Sequence, residues 1–283
     1  MRRVIGLLGL LSIGCEPVVE ETEVFGVCLT EGPTEAAVVQ ELVFGRVVDG
    51  VSSGTDLDEA VSTLGGGTGC GAQDYVTVDG VAGIDNAMSG LLPILEATEA
   101  AALEPLIQQS FIGGEILVVI EMAHLENVQD DECVVVSFLN GDDVPTIGSD
   151  GYIEPSQTFA IDWAASGDEV VGSVVDGHLI ARDFAFRLPL EIFDFVIELE
   201  LYESYADLAL NEDGSFEGFI AGGFPYAPMI EALEQTAIDK DLMELLPGLF
   251  AAIADLGMND QGQCELVSVV LEVRGTSAFL FPE

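Results

Sequence analysis

The chain has 283 residues, 49% of them hydrophobic, and a mean hydropathy of +0.43, which is enough apolar material for a sizeable core. Seven Lys and Arg stand against 51 Asp and Glu, a formal net charge of −44. No basic patch can be assembled from that inventory, which excludes nucleic acid and anionic lipid surfaces as electrostatic partners.

The first fifteen residues read MRRVIGLLGLLSIGC. Arg2 and Arg3 precede an apolar run from Val4 to Gly14. At about 1.5 Å per residue this run is too short for a hydrocarbon core roughly 30 Å thick, and it reads as a secretory signal. The segment Leu11-Ser12-Ile13-Gly14-Cys15 resembles the lipobox of bacterial lipoproteins, with Ser12 standing where that pattern usually has leucine. The resemblance ends at residue 15 and implies an address and an anchor. Residues 1–14 would be a signal peptide, Cys15 would carry a thioether-linked lipid, and the protein would sit on a membrane of the cell envelope. Loss of Arg2 and Arg3 would take the net charge to −46. Such a chain repels itself, so its stability is expected to rise with ionic strength.

Residues 15–27 then read as the lipidated cysteine and an acidic tether, and 28–283 as a single globular β-rich domain. Four cysteines remain in that domain: Cys28, Cys70, Cys133 and Cys264. In an exported chain they predict two disulfides, with three possible connectivities. The absence of a CxxC pair and the presence of only two histidines argue against zinc.

In chain order, the segment 34–48 is ambiguous between helix and strand. A breaker-rich loop, DGVSSGTDLDEAVSTLGGGTGCGAQD, follows it. The stretch GIDNAMSGLLPILEATEAAALEPLIQQSF predicts a helix pair, with Asp85 as N-cap, an apolar face of Met88, Leu91, Leu92 and Leu95, and breaks at Pro93 and Pro105. The period then changes to two. EILVVIEMAHL, CVVVSFL and TFAIDWA read as strands, the last with Phe159, Ile161 and Trp163 on one face. Asp176-Gly177 fits a type I′ hairpin turn, after which Phe184, Phe186, Leu188, Leu190 and Ile192 alternate. Phe195, Ile197, Leu199 and Leu201 alternate in turn, and a second hairpin centres on Asn211 to Gly214. Helical spacing returns near Pro228, with Asp239 as a cap and Pro247 as a break, before a last long strand from Cys264. Hairpin-joined strands with two helical insertions predict an α+β, mainly antiparallel fold: a large sheet or sandwich with helices packed on it.

Candidate chemistry is sparse. GVSSG around Ser52 matches the nucleophile elbow of hydrolases, but that fold needs a parallel sheet and a histidine, His124 or His178, brought to the serine. LGGGTGCG lacks the Gly-Lys-Ser/Thr ending of a phosphate loop. Four acidic turns are candidates for calcium: residues 74–86, 128–132 with Asp130 and Asp131, 140–151, and 258–265 with Asn259 and Asp260. None has the full EF-hand spacing, and Asp or Asn beside Gly is also ordinary turn chemistry. The sequence therefore supports a lipid-anchored acidic envelope lipoprotein with a structural or binding role and no catalytic centre. A second reading is a carrier of an apolar ligand inside a curved sheet, and a third is a hydrolase using Ser52. Cys133 and Cys264 each follow a polar turn and open a strand, which predicts a Cys133–Cys264 bridge and leaves Cys28–Cys70 as the other.

Overall fold

The computed structural model describes residue 28 and residues 32–66, 68–97, 99–192, 195–234 and 240–281. The segments read as a signal peptide and an acidic tether, with Cys15, lie outside the described residues, as does Asp239, read as a cap. The chain forms β1 (Glu35–Phe44), β2 (Tyr75–Val76), β3 (Ala82–Ile84), α1 (Leu92–Glu96), α2 (Leu103–Gly113), β4 (Val118–Ala123), β5 (Asp131–Asn140) and β6 (Gln157–Phe159). It continues with β7 (Val170–Val175), β8 (His178–Ile192), β9 (Phe195–Leu210), β10 (Phe216–Pro225), α3 (Tyr226–Leu233), α4 (Lys240–Ile253), β11 (Leu256–Met258) and β12 (Cys264–Leu280). The α+β, mainly antiparallel expectation is met.

The sheet closes on itself. Strands β1, β4, β5, β7, β8, β9, β10 and β12 pair in chain order, each antiparallel to the next, and β12 pairs back along β1 from Ala36↔Ala278 to Phe44↔Leu271. The result is an eight-stranded up-and-down barrel, a closure that leaves these strands without a free edge. Within the ambiguous segment 34–48, residues Glu35–Phe44 form strand β1, paired with β12 over Ala36–Phe44 and with β4 over Glu35–Val38; beyond β4, the Gln108 and Glu104 side chains bond the Gln40 carbonyl and the Phe44 N–H.

Alternate residues point inward. Val134, Val136 and Phe138 of β5 meet Leu179, Ala181, Phe184, Phe186 and Leu188 of β8 in one apolar core. The inward phase of β8 changes from odd to even numbers at Asp183, a left-handed residue (φ 58°) that inserts a bulge, and a compensating shift on β9 falls beside Glu203 (φ 51°). The Asp176-Gly177 hairpin forms as expected, both residues having positive φ, and the Asn211–Gly214 turn joins β9 to β10.

One end of the barrel, where β1 begins, carries these hairpins. At the other end the helices deliver Ile107 and Phe111 of α2, Ile230 of α3, and Leu246 and Phe250 of α4 to the same core. Met88, Leu91 and Leu92 are buried as the helical spacing predicts, and Leu95 packs against them. Other expectations need correction. Asp85 is not an N-cap, because a short 3-10 turn starts at Ala87 and the Asp85 carboxylate bonds elsewhere. Pro247 does not split α4; the helix runs through it, with Leu246 and Phe250 anchored in the core on either side. Strand β6 stops at Phe159, and Trp163 is half exposed because the chain turns at Asp162 to follow Asn140 and Phe138 instead of a sheet face.

The disulfides also differ from expectation: they are Cys28–Cys133 and Cys70–Cys264. The reason lies in the meander. β5 and β12 are the third and eighth strands of an alternating barrel, so they run in opposite directions and their first residues lie at opposite ends. Cys133 can only meet a cysteine at the β1-start end, and Cys264 one at the helical end.

Candidate metal centre

Residues 45–91 leave β1 at the helical end and fold back over the outer wall of β12. Gly45 N–H donates to the Val270 carbonyl, Val51 bridges to Val48 and Val76, and Cys70–Cys264 clamps the far part of the loop. Gly54 lies close to the wall at φ +126°, where a Cβ would stand 2.9 Å from Val270 Cγ2 and 3.0 Å from Ile84 Cγ2. Only glycine permits that approach.

The interface beneath this loop is polar. Among the described residues, eight of eleven buried polar side chains lie here: Ser52, Ser62, Asp74, Asp85, Asn86, Ser89, Asp255 and Ser268. Most have backbone partners. Asp74 accepts from Ser62 N–H, Asp255 accepts from both the N–H and the hydroxyl of Ser268, and Ser268 Oγ accepts from Ala87 N–H. Asn86 donates to the Gly45 carbonyl and to Ser52 Oγ, while its own Oδ1 is buried without a partner.

At the centre, Asp56, Asp58 and Asp85 each bring a carboxylate oxygen within 4.8 Å of the others. Two turns build the group. In the first, Ala60 N–H bonds to both Asp56 and Asp58, curling the DLDEA segment so that its two acids point the same way. In the second, Asp85 N–H donates to the Thr55 carbonyl and Asp85 Oδ2 accepts from Leu57 N–H at 2.7 Å. Gly83 (φ +93°) completes the fit, since a Cβ there would stand 2.7 Å from Asp56 Oδ2.

The electrostatics are one-sided. Asp85 is 2% exposed; burial pushes its carboxyl up to about 8, and the charges of Asp255, Asp58 and Asp74 add to the effect. Burial likewise lifts Asp255 to about 6 and raises Asp56 and Asp74. No described Lys, Arg or His forms an ion pair with any of the five acids. Such a group is relieved by a bound proton or by a cation. The donor set is all oxygen, the chemistry of calcium or magnesium and not of zinc or copper. Two ligands on opposite sides of a calcium ion stand about 4.8 Å apart, and the three carboxylate oxygens all lie within that limit of one another.

No protein-family model, curated protein or solved structure matches this chain.

The turns singled out by sequence serve the backbone. Asp131 accepts from the N–H groups of Glu126 and Cys133, and Asp130 from that of Asp176. Asn259 accepts from Gln261 and Gln263 N–H, and Asp260 is exposed beside it. Of the four acidic stretches, only 74–86 contributes to the cluster, through Asp85. Its partners Asp56 and Asp58 sit in the loop read as irregular, where the DxD spacing was the available signal.

Ser52 is 3% exposed; its hydroxyl donates to the Ser53 carbonyl and accepts from Asn86, so its partners are not those of a nucleophile. His178 lies on the outer face of β8 with Nδ1 2.6 Å from Asp207 Oδ1. Among the described residues, no helix is long and apolar enough to cross a membrane.

Proposed function

We propose that this chain is a lipid-anchored, acidic lipoprotein of the bacterial cell envelope with a structural or binding role and no catalytic centre. In this reading Asp56, Asp58 and Asp85 hold one calcium ion that fastens the 45–91 loop to the barrel. The observation that carries the cation is the deeply buried Asp85 carboxylate, set beside two further carboxylates with no basic side chain to offset them. Unpaired buried charge costs several kcal/mol, which a divalent ion would remove. The two disulfides point to an oxidising, exported environment, and the lipobox-like segment supplies the attachment.

Calcium at a hundred times its dissociation constant stabilises a folded protein by about 2.7 kcal/mol. Thermal melts at pH 8 should therefore rise with millimolar calcium, more than with magnesium at matched ionic strength, and the increment should vanish in Asp85→Asn. Equal shifts with both ions, persisting in the variant, would leave only screening and overturn the site. For the anchor, Cys15→Ser should move the protein from the membrane to the soluble fraction with its melting temperature unchanged. Retention on membranes through a high-salt wash would sink that assignment.

A second reading, the carrier of an apolar ligand, draws support from closure itself, because an eight-stranded barrel is the size that either fills with side chains or holds one small molecule. Phe138 stacked on Phe184 at 4.4 Å, with Phe186 edge-on at 5.7 Å, favours filling. Native mass spectrometry distinguishes the two: a co-purifying apolar molecule supports the carrier, and the bare protein mass supports the filled barrel.

A further inference from the structure

The last residues of β12 pass the rim of the barrel wall. Ala278 pairs with Ala36, the second residue of β1, so Phe279 stands level with the start of that strand and Phe281 beyond it. Their backbone is nonetheless held: β6 runs parallel to Ala278–Leu280, and Phe281 N–H donates to the Phe159 carbonyl. The two rings, two residues apart and so on one side of the chain, are 57% and 56% exposed. An aromatic pair kept in water by a paired backbone is an apolar contact surface without a partner inside the described chain.

The same end of the barrel receives the N-terminal chain. The bond to Cys133 fixes Cys28 where β1 begins. Cys15 precedes Cys28 by 13 residues, a connection of at most about 45 Å when fully stretched. β12 alone, 17 residues at about 3.3 Å each and tilted as barrel strands are, spans about 40 Å of height, with the helices packed at its far end. A lipid at Cys15 therefore reaches the level of the helical end only through a taut tether, but reaches the end where β1 begins with slack to spare. Charge is uneven around that end. Asp176 N–H donates to Asp130 Oδ1, which gathers two exposed acids at the β7–β8 turn, directly across the barrel mouth from β12. The acidic β9–β10 turn, with Glu212 and Asp213, lies between the two sides.

We propose that the β12 side of this rim rests on a zwitterionic phospholipid bilayer, with Phe279 and Phe281 in the boundary between headgroups and acyl chains and the Asp176 side tilted away into water. The proposal rests on the reading of Cys15 as the point of attachment. The contact needs no basic patch. The lipid supplies the affinity, while burial of the two rings and the cost of dehydrating carboxylates decide which side of the rim faces down. The pose leaves the helical end facing away from the membrane.

The test separates the pose from the attachment. Mass spectrometry of the natively purified protein reads whether Cys15 carries lipid, and a bare Cys15 would overturn the attachment alone. For the pose, the chain from Cys15 onward is coupled through that thiol, the one cysteine outside the two disulfides, to a maleimide lipid. The vesicles are phosphatidylcholine with brominated acyl chains, so the tether is present whether or not the cell adds a lipid. Trp163, the one native tryptophan, is removed by Trp163→Phe, and probes are introduced as Phe281→Trp, Phe279→Trp or Val175→Trp. All three probe positions are exposed, and unchanged melting temperatures will confirm the fold. Bromine quenching should be at least threefold stronger for Phe281→Trp and Phe279→Trp than for Val175→Trp, across the mouth. Adding Phe279→Ser to Phe281→Trp should lower the quenching at least twofold. Equal quenching on both sides of the rim, none on either, or a signal unchanged by Phe279→Ser would overturn the proposal.

Discussion

Phe186 inside the barrel and Asp85 beneath the 45–91 loop are almost equally buried, yet they are held by different physics. Phe186 is surrounded by Phe138, Leu188, Leu201 and other apolar side chains of the same core, and many small contacts add up with no single indispensable partner. Asp85 depends on one N–H from Leu57, and its nearest neighbours are other acids. The barrel core thus tolerates local change in proportion to volume lost. The loop layer depends on particular partners, on a covalent clamp and on whatever neutralises its charge.

The largest effect is expected in the barrel. Phe186→Ala should cost about 3–5 kcal/mol in chemical denaturation, the range for deleting a buried aromatic ring. A loss near 1 kcal/mol would mean that the interior collapses to fill the cavity and is packed more loosely than the ring contacts suggest. Next comes the clamp. Serine at both Cys70 and Cys264 should cost about 2–4 kcal/mol. Hydrogen exchange should accelerate over residues 50–86, with β5 and β8 still protected. Uniform acceleration would show that the loop and the barrel unfold as one unit.

The pH effect sharpens the contrast. Both Asp85 and Asp255 titrate higher folded than unfolded, so the native state holds more protons between the two values. Their contribution is therefore fully present below about pH 4, the unfolded carboxyl value, and is lost as pH rises through about 6 for Asp255 and about 8 for Asp85. With calcium chelated, melting temperature should fall across that window, and Asp85→Asn should flatten the upper part of the decline. A profile that rises from pH 5 to pH 8 would contradict the buried, unpartnered state of these groups.

Much of the architecture was legible in the sequence because an alternating strand shows which face it buries. Leu199 and Leu201 lie inside as their spacing requires, and the Asp176-Gly177 turn is fixed by two residues that accept positive φ. The candidate site was legible only in fragments. Asp85 fell within an acidic stretch singled out by composition, but it was read as a helix cap, since a cap and a buried ligand use the same residue type. Asp56 and Asp58 lay in a loop without periodicity, which carries no signal about what it covers.

The sequence by itself determined the local states: which strands are amphipathic, where the hairpins turn, and that four cysteines form two bridges in an exported chain. Tertiary structure decided closure, disulfide connectivity and the carboxylate cluster. Closure depends on β1 meeting β12 across more than two hundred residues, and no local pattern encodes that pairing. Once the meander closed, strand direction alone fixed which cysteines share an end. The cluster exists because two turns some thirty residues apart are pressed onto one barrel wall, where distance in space, and not spacing in the chain, sets which charges meet.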